Sequence, residues 1–290
     1  MDTLKLETST WGADYQLLDS GTMMKLERFG TQIIARPEPQ ALWEPSLPKE
    51  QWAAADATFI RSANQDRGQW RTTSRTKEQW WIEYQNLKFR LGLTAFKHVG
   101  VFPEQASNWD FAQHAIKTLD EEHPQVLNMF AYTGGASMAA AKAGAMVTHV
   151  DSVKAVNTWA RENAEASGIL DIRYITDDAT KFAERQVRRG TVYRGIVLDP
   201  PAYGRGPNGE KWILEEDLPA LLVLTRQLLS PKKGSFLILN LYSMGFSALL
   251  AETLVRQIFT DQPSLLCGEL YATDSHNKRL PLGIFLRLTI

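Results

Sequence analysis

Cysteine is nearly absent from this chain: Cys267 stands alone among 290 residues. One thiol closes no intrachain disulfide and builds no cysteine-ligated zinc site, so disulfide scaffolds and zinc ribbons are excluded. Long apolar runs are missing as well. None approaches the roughly 18 residues of a membrane-spanning helix, and the first residues, Met1-Asp-Thr-Leu-Lys-Leu-Glu7, form no apolar leader. A cytoplasmic protein with no membrane partner is the expectation. Neither charge sign is in excess: 32 basic and 33 acidic residues leave a net charge of −1, and no global field gathers polyanions. The five histidines (His98, His114, His123, His149, His276) share no metal-ligand spacing, so no metal is expected. Internal repeats and low-complexity tracts are also absent.

What is present is an ordinary globular composition, 44% apolar and 22% charged, long enough for one large or two modest domains. The texture changes along the chain. Seven of the nine tryptophans (Trp11, Trp43, Trp52, Trp70, Trp80, Trp81, Trp109) fall in the first 110 residues. Short alternating runs, Thr31-Gln-Ile-Ile-Ala35 and Trp80-Trp-Ile-Glu-Tyr84, lie there between the turn-rich stretches Arg36-Pro-Glu-Pro39 and Asn64-Gln-Asp-Arg-Gly68. That pattern predicts a small, β-rich antiparallel domain over residues 1–95. Over residues 96–290, apolar strands alternate with helices. Strands are expected near 126–130, 146–150, 172–175, 195–198 and 235–240, and helices near 136–143, 153–166, 180–188, 214–229 and 247–258. Two last strands follow near 265–271 and 282–289. Repeated βα units at this spacing call for a doubly wound, mostly parallel α/β sheet with right-handed crossovers.

The sharpest local feature is Ile196-Val-Leu-Asp199-Pro200-Pro201-Ala-Tyr203-Gly204, an apolar strand stopped by an acid and two prolines. Both prolines lack an N–H and fix φ, so the chain must turn and leave Asp199 at the strand's carboxyl end, where open α/β sheets bind ligands. The Asp199 carboxylate and Pro200 carbonyl offer acceptors for an amine or ring N–H, and Tyr203 offers a face for a flat ring. An ordinary βα turn uses the same residues, since Asp-Pro opens turns.

Three other strand ends read as a set. The first βα turn runs Asn128-Met-Phe130-Ala-Tyr132-Thr133-Gly134-Gly135, with glycines for a tight turn and close ligand approach. The next strand ends at Asp151, sixteen residues after Gly135, a place suited to a carboxylate accepting from two ribose hydroxyls. The third closes with Thr176-Asp177-Asp178-Ala179, where an acid reaches an adenine amine. Together they predict an adenosine-containing ligand. A dinucleotide is disfavoured because the turn lacks G-x-G-x-x-G, and Tyr132 and Thr133 fill the space a diphosphate needs. S-adenosylmethionine carries no phosphate and fits the roomier polar loop.

The chain resembles the class I methyltransferases related to the bacterial large-subunit ribosomal RNA base methyltransferases of the cytosine and guanine kinds. The likeness runs through Lys25-Leu-Glu-Arg-Phe-Gly30, Arg36-Pro-Glu-Pro-Gln40, Thr94 to Gln105, Asn128 to Gly135, Asp151, Asp178, Asp199 to Gly204 and Asn240-Leu-Tyr-Ser-Met-Gly-Phe246. It implies a Rossmann-like methyltransferase domain binding S-adenosylmethionine, with Phe102 and Gln105 over the cofactor and Asp151 and Asp178 on its ribose and adenine. It also implies an RNA base as acceptor; the alternatives are a methyltransferase of a small molecule or protein side chain, or a noncatalytic binding module on the cofactor fold.

Two departures qualify the resemblance. Relatives that methylate a cytosine ring carbon need a cysteine nucleophile. Here the lone Cys267 sits in the apolar run Ser264-Leu-Leu-Cys-Gly268 and reads as a core thiol, which favours an amine or ring nitrogen as acceptor. Amino methyltransferases with an acid-Pro-Pro-aromatic turn place the aromatic directly after the second proline, whereas Ala202 intervenes before Tyr203. Arg205, Lys211 and Trp212 are the candidate substrate contacts, the cations for phosphate and the indole for a base; a solvated loop with a packed tryptophan is the competing reading. Arg61, Arg67, Arg71, Arg75 and Lys77 interleave with Trp70 and Trp80 in a texture compatible with an RNA-facing surface.

Overall fold

The computed structural model describes residues 5–61, 68–242, 245–261 and 263–290. Asn64 to Arg67 of one expected turn, and Ser243 and Met244 of the Asn240 to Phe246 segment, lie outside the described residues. The first part of the chain forms β1 (Lys5–Glu7), β2 (Tyr15–Gly21), β3 (Met24–Phe29), β4 (Gln32–Pro37), α1 (Lys49–Ala53), β5 (Ala57–Arg61), β6 (Gly68–Thr72), β7 (Gln79–Tyr84) and β8 (Leu87–Gly92). Then come α2 (Ala106–Lys117), β9 (Gln125–Met129), α3 (Gly135–Lys142), β10 (Met146–Asp151), α4 (Lys154–Ala166), β11 (Ile172–Thr176) and α5 (Ala179–Arg188). The chain closes with β12 (Gly195–Leu198), β13 (Tyr203–Arg205), β14 (Lys211–Ile213), α6 (Leu214–Leu228), β15 (Phe236–Leu241), α7 (Ala248–Ile258), β16 (Ser264–Thr273) and β17 (Arg279–Thr289). Two compact units result, and neither is continuous in sequence.

One unit comprises the described residues of Thr8–Glu104 together with Tyr271–Leu282. Its five-stranded sheet has the order β2-β3-β4-β5-β6, and β7 and β8 form a separate hairpin. The pairs are antiparallel as the alternation predicts, except β4 with β5, which run parallel. The reason is the connection: the segment carrying α1 is long enough to cross over, where a tight turn would force an antiparallel pair. Tight turns do close β2–β3 at Thr22-Met23 and β7–β8 at Gln85-Asn86, all four residues with positive φ, as two-residue hairpins matching strand twist require.

The motif residues of the first forty positions meet inside this unit. Glu27 is fully buried and takes Arg36 Nε at 2.5 Å, Arg36 Nη2 at 3.0 Å and the Tyr15 hydroxyl at 2.9 Å. Lys25 Nζ stands 3.3 Å from Glu38. Burial opposes the charge on Glu27, but Arg36 and Lys25 outweigh it and hold the carboxyl at about 2. A second buried clamp fixes the turn between β16 and β17. Asp19 accepts from Lys278 Nζ, Trp52 Nε1 and the backbone amides of Ser20, Ser46 and Leu47, and Asp274 accepts from Ser20 Oγ and the amides of His276 and Lys278.

The other unit holds an eight-stranded sheet in the order β1-β16-β17-β15-β12-β9-β10-β11. From β15 through β11 neighbouring strands are parallel, and β17 lies antiparallel against β15. The mostly parallel α/β sheet expected from the βα spacing is therefore present. Four-residue β12 is wholly apolar and buried, as a strand covered on both faces must be. Its core neighbours include Leu127, Leu239, Leu286 and the α6 leucines Leu218, Leu221 and Leu222. Arg287 ties the edge together by a bidentate pair to Glu7 at 2.7 and 3.0 Å and a 2.9 Å bond to Asn108 of α2. No helix among the described residues is long and apolar enough to cross a membrane.

Candidate active site

The chain order reverses between β9 and β12: after β9 it builds β10 and β11 on one side, then returns to build β12 and β15 on the other. In open α/β sheets that switch point, at the carboxyl ends of the strands, forms the ligand crevice. The sequence-selected strand ends converge on this edge. Leu198 registers with both Met129 and Leu239, and Asp151 registers with Thr176, so Phe130, Asp151, Asp177 and Asp199 follow at adjoining strand ends.

The first turn is unusual backbone. Phe130, Tyr132 and Gly134 all have positive φ, at 56°, 49° and 91°. Such a conformation persists only where surrounding bonds fix it. Tyr132 N donates to Asp151 Oδ2 at 2.9 Å, Ala131 N to Val150 O at 3.1 Å, and Asn163 of α4 holds the Thr133 carbonyl at 3.0 Å. Asp151 Oδ1 meanwhile accepts from Val153 N at 3.0 Å, and burial pushes its carboxyl above the ordinary value. Each oxygen keeps a second lone pair, so the carboxylate can accept from two neighbouring hydroxyls. The glycines have internal reasons besides ligand approach. A Cβ on Gly135 would sit 2.4 Å from the Trp109 ring of α2, so only glycine lets α3 start against α2.

Asn128 faces inward, donating to Ser137 Oγ at 2.9 Å; that hydroxyl also meets His149 Nδ1 at 2.9 Å. Burial pushes His149 down to about 3, so the ring is neutral. This network behind the turn fixes α3 to β9 and β10. Asn157 of α4 does the same for β10 and β11, bonding Asp151 O, Ile175 O and Thr176 Oγ1. Sequence reading gave Ser137, His149, Asn157 and Asn163 no role; their one signal is a polar residue on an otherwise apolar buried face.

At the third strand end, Asp178 caps α5 by accepting Lys181 N at 2.9 Å through Oδ1, while Asp177 is ion-paired with Arg185. Ala179 is buried as the first residue of α5. Gln105 precedes α2 and accepts from Asn108 at 3.0 Å. Phe102 belongs to the other unit, where its ring lies 5.2 Å from that of His98.

The Asp-Pro-Pro turn presents a row of acceptors. Asp199 Oδ1 receives Asn240 Nδ2 at 2.7 Å, and the Pro201 carbonyl receives Trp212 Nε1 at 2.7 Å. Asp199 Oδ2 and the Pro200 carbonyl have no donor among the described residues. Burial pushes the Asp199 carboxyl up to about 6 against the Asn240 bond. Beyond the turn, β13 and β14 form an antiparallel ribbon with Arg205 opposite Lys211, both exposed, and Tyr203 is 53% exposed. The ribbon is tied to α5 by Lys181 and Glu210 at 2.7 Å.

Trp212 is placed otherwise than as a substrate contact. It is 4% exposed, its ring centroid lies 4.9 Å from that of Phe130, and its N–H anchors the turn. A ring enclosed in the core has no face for a base; burying a large apolar surface won over exposure. The basic texture of the other unit is divided likewise. Trp80 is buried, Trp70 donates to Thr94 O at 2.7 Å, and Arg75 pairs with Asp56 at 2.8 Å. Arg61 and Arg71 are exposed, and Arg67 lies outside the described residues. Cys267 is buried in the core of the sheet unit, its Sγ 3.5 Å from Glu252, on a strand separated from β12 by β17 and β15.

The acceptors suit an adenosine with hydroxyls and an amine, namely the remaining Asp151 lone pairs and Asp178 Oδ2, while the α3 N-terminus, without a side-chain cap, offers backbone N–H donors to a carboxylate. The chain is similar to the ribosomal RNA large subunit methyltransferase K/L of Pseudoalteromonas atlantica, 28% identical over 166 residues, covering 56% of this chain and 22% of that protein. It is 30% identical over 125 residues to the ribosomal RNA large subunit methyltransferase I of Photobacterium profundum, covering 42% of this chain and 30% of that protein. It thus spans less than a third of either curated relative. A crystal structure of the S-adenosylmethionine-dependent methyltransferase from Agrobacterium tumefaciens superposes with a TM-score of 0.91 at 38% identity, covering 98% of this chain and 93% of that one. Residues 47–269 match the family described as S-adenosylmethionine-dependent methyltransferase, and the chain belongs to that family.

Proposed function

We propose that this methyltransferase acts on an amine or ring nitrogen of a base in large-subunit ribosomal RNA, without a cysteine nucleophile. The observation that carries the reading is a pair of acceptors on consecutive residues at the end of β12, Asp199 Oδ2 and the Pro200 carbonyl, with no donor among the described residues. Two acceptors at one edge orient an N–H donor, and a nitrogen with its own lone pair needs orientation rather than covalent activation. S-adenosylmethionine, when bound, supplies a methyl group on a positively charged sulfur. As the acceptor nitrogen bonds the methyl carbon, the carbon–sulfur bond would break, its electron pair returning to sulfur as S-adenosylhomocysteine leaves. Asp199 Oδ2 would take the N–H proton that the methylated nitrogen gives up and pass it to water. A carboxyl titrating at about 6 is ionised at neutral pH yet basic enough for that step. Tyr203 flanks the ring of the acceptor.

Asp151 and Asp178 would hold the ribose and adenine, the turn Asn128 to Gly135 the amino-acid tail, and Gln105, at the start of α2, would flank it. Asp151→Ala therefore weakens S-adenosylhomocysteine binding about tenfold to a hundredfold, the range for losing hydrogen bonds to a charged acceptor, measured by calorimetry. An unchanged affinity would remove Asp151 from the cofactor site.

The relatives are ribosomal RNA large subunit methyltransferases, which supports the acceptor class, and the ribbon supplies a physical reason. Arg205 and Lys211 are directly opposed across two strands, an arrangement that like charges disfavour unless an anion separates them. A phosphate of the RNA backbone is that anion. The double variant Arg205→Glu with Lys211→Glu lowers affinity for ribosomal RNA fragments and flattens its dependence on salt by about 0.7 per lost contact. Incubation with a labelled methyl donor separates the readings: label in RNA extracted from cells lacking the protein supports the proposal, while label only in small molecules or protein sinks it.

A further inference from the structure

Asn240 is the one polar side chain in a buried apolar strand, β15 reading Phe236-Leu-Ile-Leu-Asn240-Leu241. The parallel register that pairs Leu198 with Leu239 brings the next two residues, Asp199 and Asn240, side by side at the carboxyl edge. One half of the amide is used: Nδ2 donates to Asp199 Oδ1 at 2.7 Å. The other half is not. Asn240 is 3% exposed, and its Oδ1 is enclosed with no hydrogen-bond partner among the described residues. An enclosed, unpaired acceptor is costly, and leucine, of similar size and present on both sides, would avoid that cost. Turning the amide over brings no relief, because Oδ1 would then oppose a carboxylate oxygen. Stability alone does not explain asparagine here.

We infer that Asn240 is a positioning residue for methyl transfer, its uncharged N–H fixing one oxygen of Asp199 and leaving the other for the acceptor. The inference rests on the role proposed above for Asp199. A neutral donor is the informative choice. Lysine or arginine in its place would hold the carboxylate ionised but make it a poor proton acceptor, and an apolar residue would leave burial unopposed. Burial and the Asn240 bond are the only influences on the carboxyl among the described residues; no charged side chain acts on it from β9, β12, β15 or the β13–β14 ribbon.

The test uses Asn240→Leu, which removes the donor, and Asn240→Ser, which restores a hydroxyl. A carbon-13 NMR titration of the Asp199 carboxyl, assigned by its loss in Asp199→Asn, needs no acceptor. In Asn240→Leu the midpoint rises by about one unit, a tenfold loss of the ionised form below it, and in Asn240→Ser it moves back toward the native protein. Single-turnover methyl transfer to ribosomal RNA from cells lacking the protein then falls about fivefold at pH 6 in Asn240→Leu, approaching tenfold at lower pH, and recovers at high pH, with S-adenosylhomocysteine affinity unchanged. An unmoved midpoint, or a loss of rate equal at every pH, overturns the inference. An active Asp199→Ala enzyme would instead overturn the role of Asp199, while the NMR midpoint still judges Asn240.

Discussion

Replacing Asp199 with alanine lowers methyl transfer by about a hundredfold to ten-thousandfold, the span of a positioned acid–base group, while S-adenosylhomocysteine still binds with native affinity. The separation is the diagnostic part. Asp199 contacts the acceptor in this reading and Asp151 the cofactor, so the first variant changes the rate in the bound complex and the second changes binding. Retained transfer by Asp199→Ala would eliminate the acceptor site. The same carboxyl sets the pH dependence. Burial raises it from an ordinary 3.8 to about 6, so the ionised form is the working one and transfer rises with pH through about 6. Stability runs the opposite way. What this group contributes to the folded state is fully present below about 3.8 and is lost as pH rises through about 6, so the protein gives up some stability at the pH where it works.

The second large effect is on folding, far from the chemistry in sequence. Glu27→Ala destabilises the unit built on β2 to β8 by about 3–5 kcal/mol, because it leaves the Arg36 guanidinium enclosed without its partner. Thermal unfolding of the variant shifts down on the order of 10 °C. Arg36→Ala does the same by exposing the opposite member, and the two losses are far from additive in the double variant. A drop of only one or two degrees in either would show that the ionic cluster is solvated rather than enclosed. Native Glu27, held at about 2 against an ordinary 4.5, stabilises fully above 4.5, and that stabilisation is lost as pH falls through about 2.

These two sites illustrate what the primary structure carries and what it leaves open. The βα alternation, the strand ends at Asp151 and Asp199 and the break at Pro200-Pro201 were legible because they depend on local physics. A four-residue apolar strand such as β12 ended by two prolines has one reading, and α5 begins directly after a capping aspartate. The resemblance through Lys25, Glu27 and Arg36 was legible as a pattern but silent on what these residues do. Their meaning is a buried ion cluster, set by which strands pair.

Trp212 shows the limit from the other side. In sequence it stands in a polar, glycine-rich loop beside two cations, the setting of a stacking platform. In the structure the strand alternation of β14 turns it inward while Arg205 and Lys211 remain outside. Nothing in the composition of Tyr271–Leu282 announces that it joins the N-terminal strands; the buried acids Asp19 and Asp274 around Lys278 decide that.

The sequence by itself determined the βα alternation from β9 onward, the acids at the strand ends and the lack of a thiol nucleophile, because each follows from neighbours a few residues away; α2 and the β13–β14 ribbon were not legible in it. Only the tertiary structure decided which acceptors stay open, that Asn240 reaches Asp199 across forty-one positions, and that Asn128, Ser137 and His149 brace the turn from behind. Hydrogen-bond partners and burial depend on strand register and sheet order. Those are fixed by the whole core at once, and no window of sequence contains them.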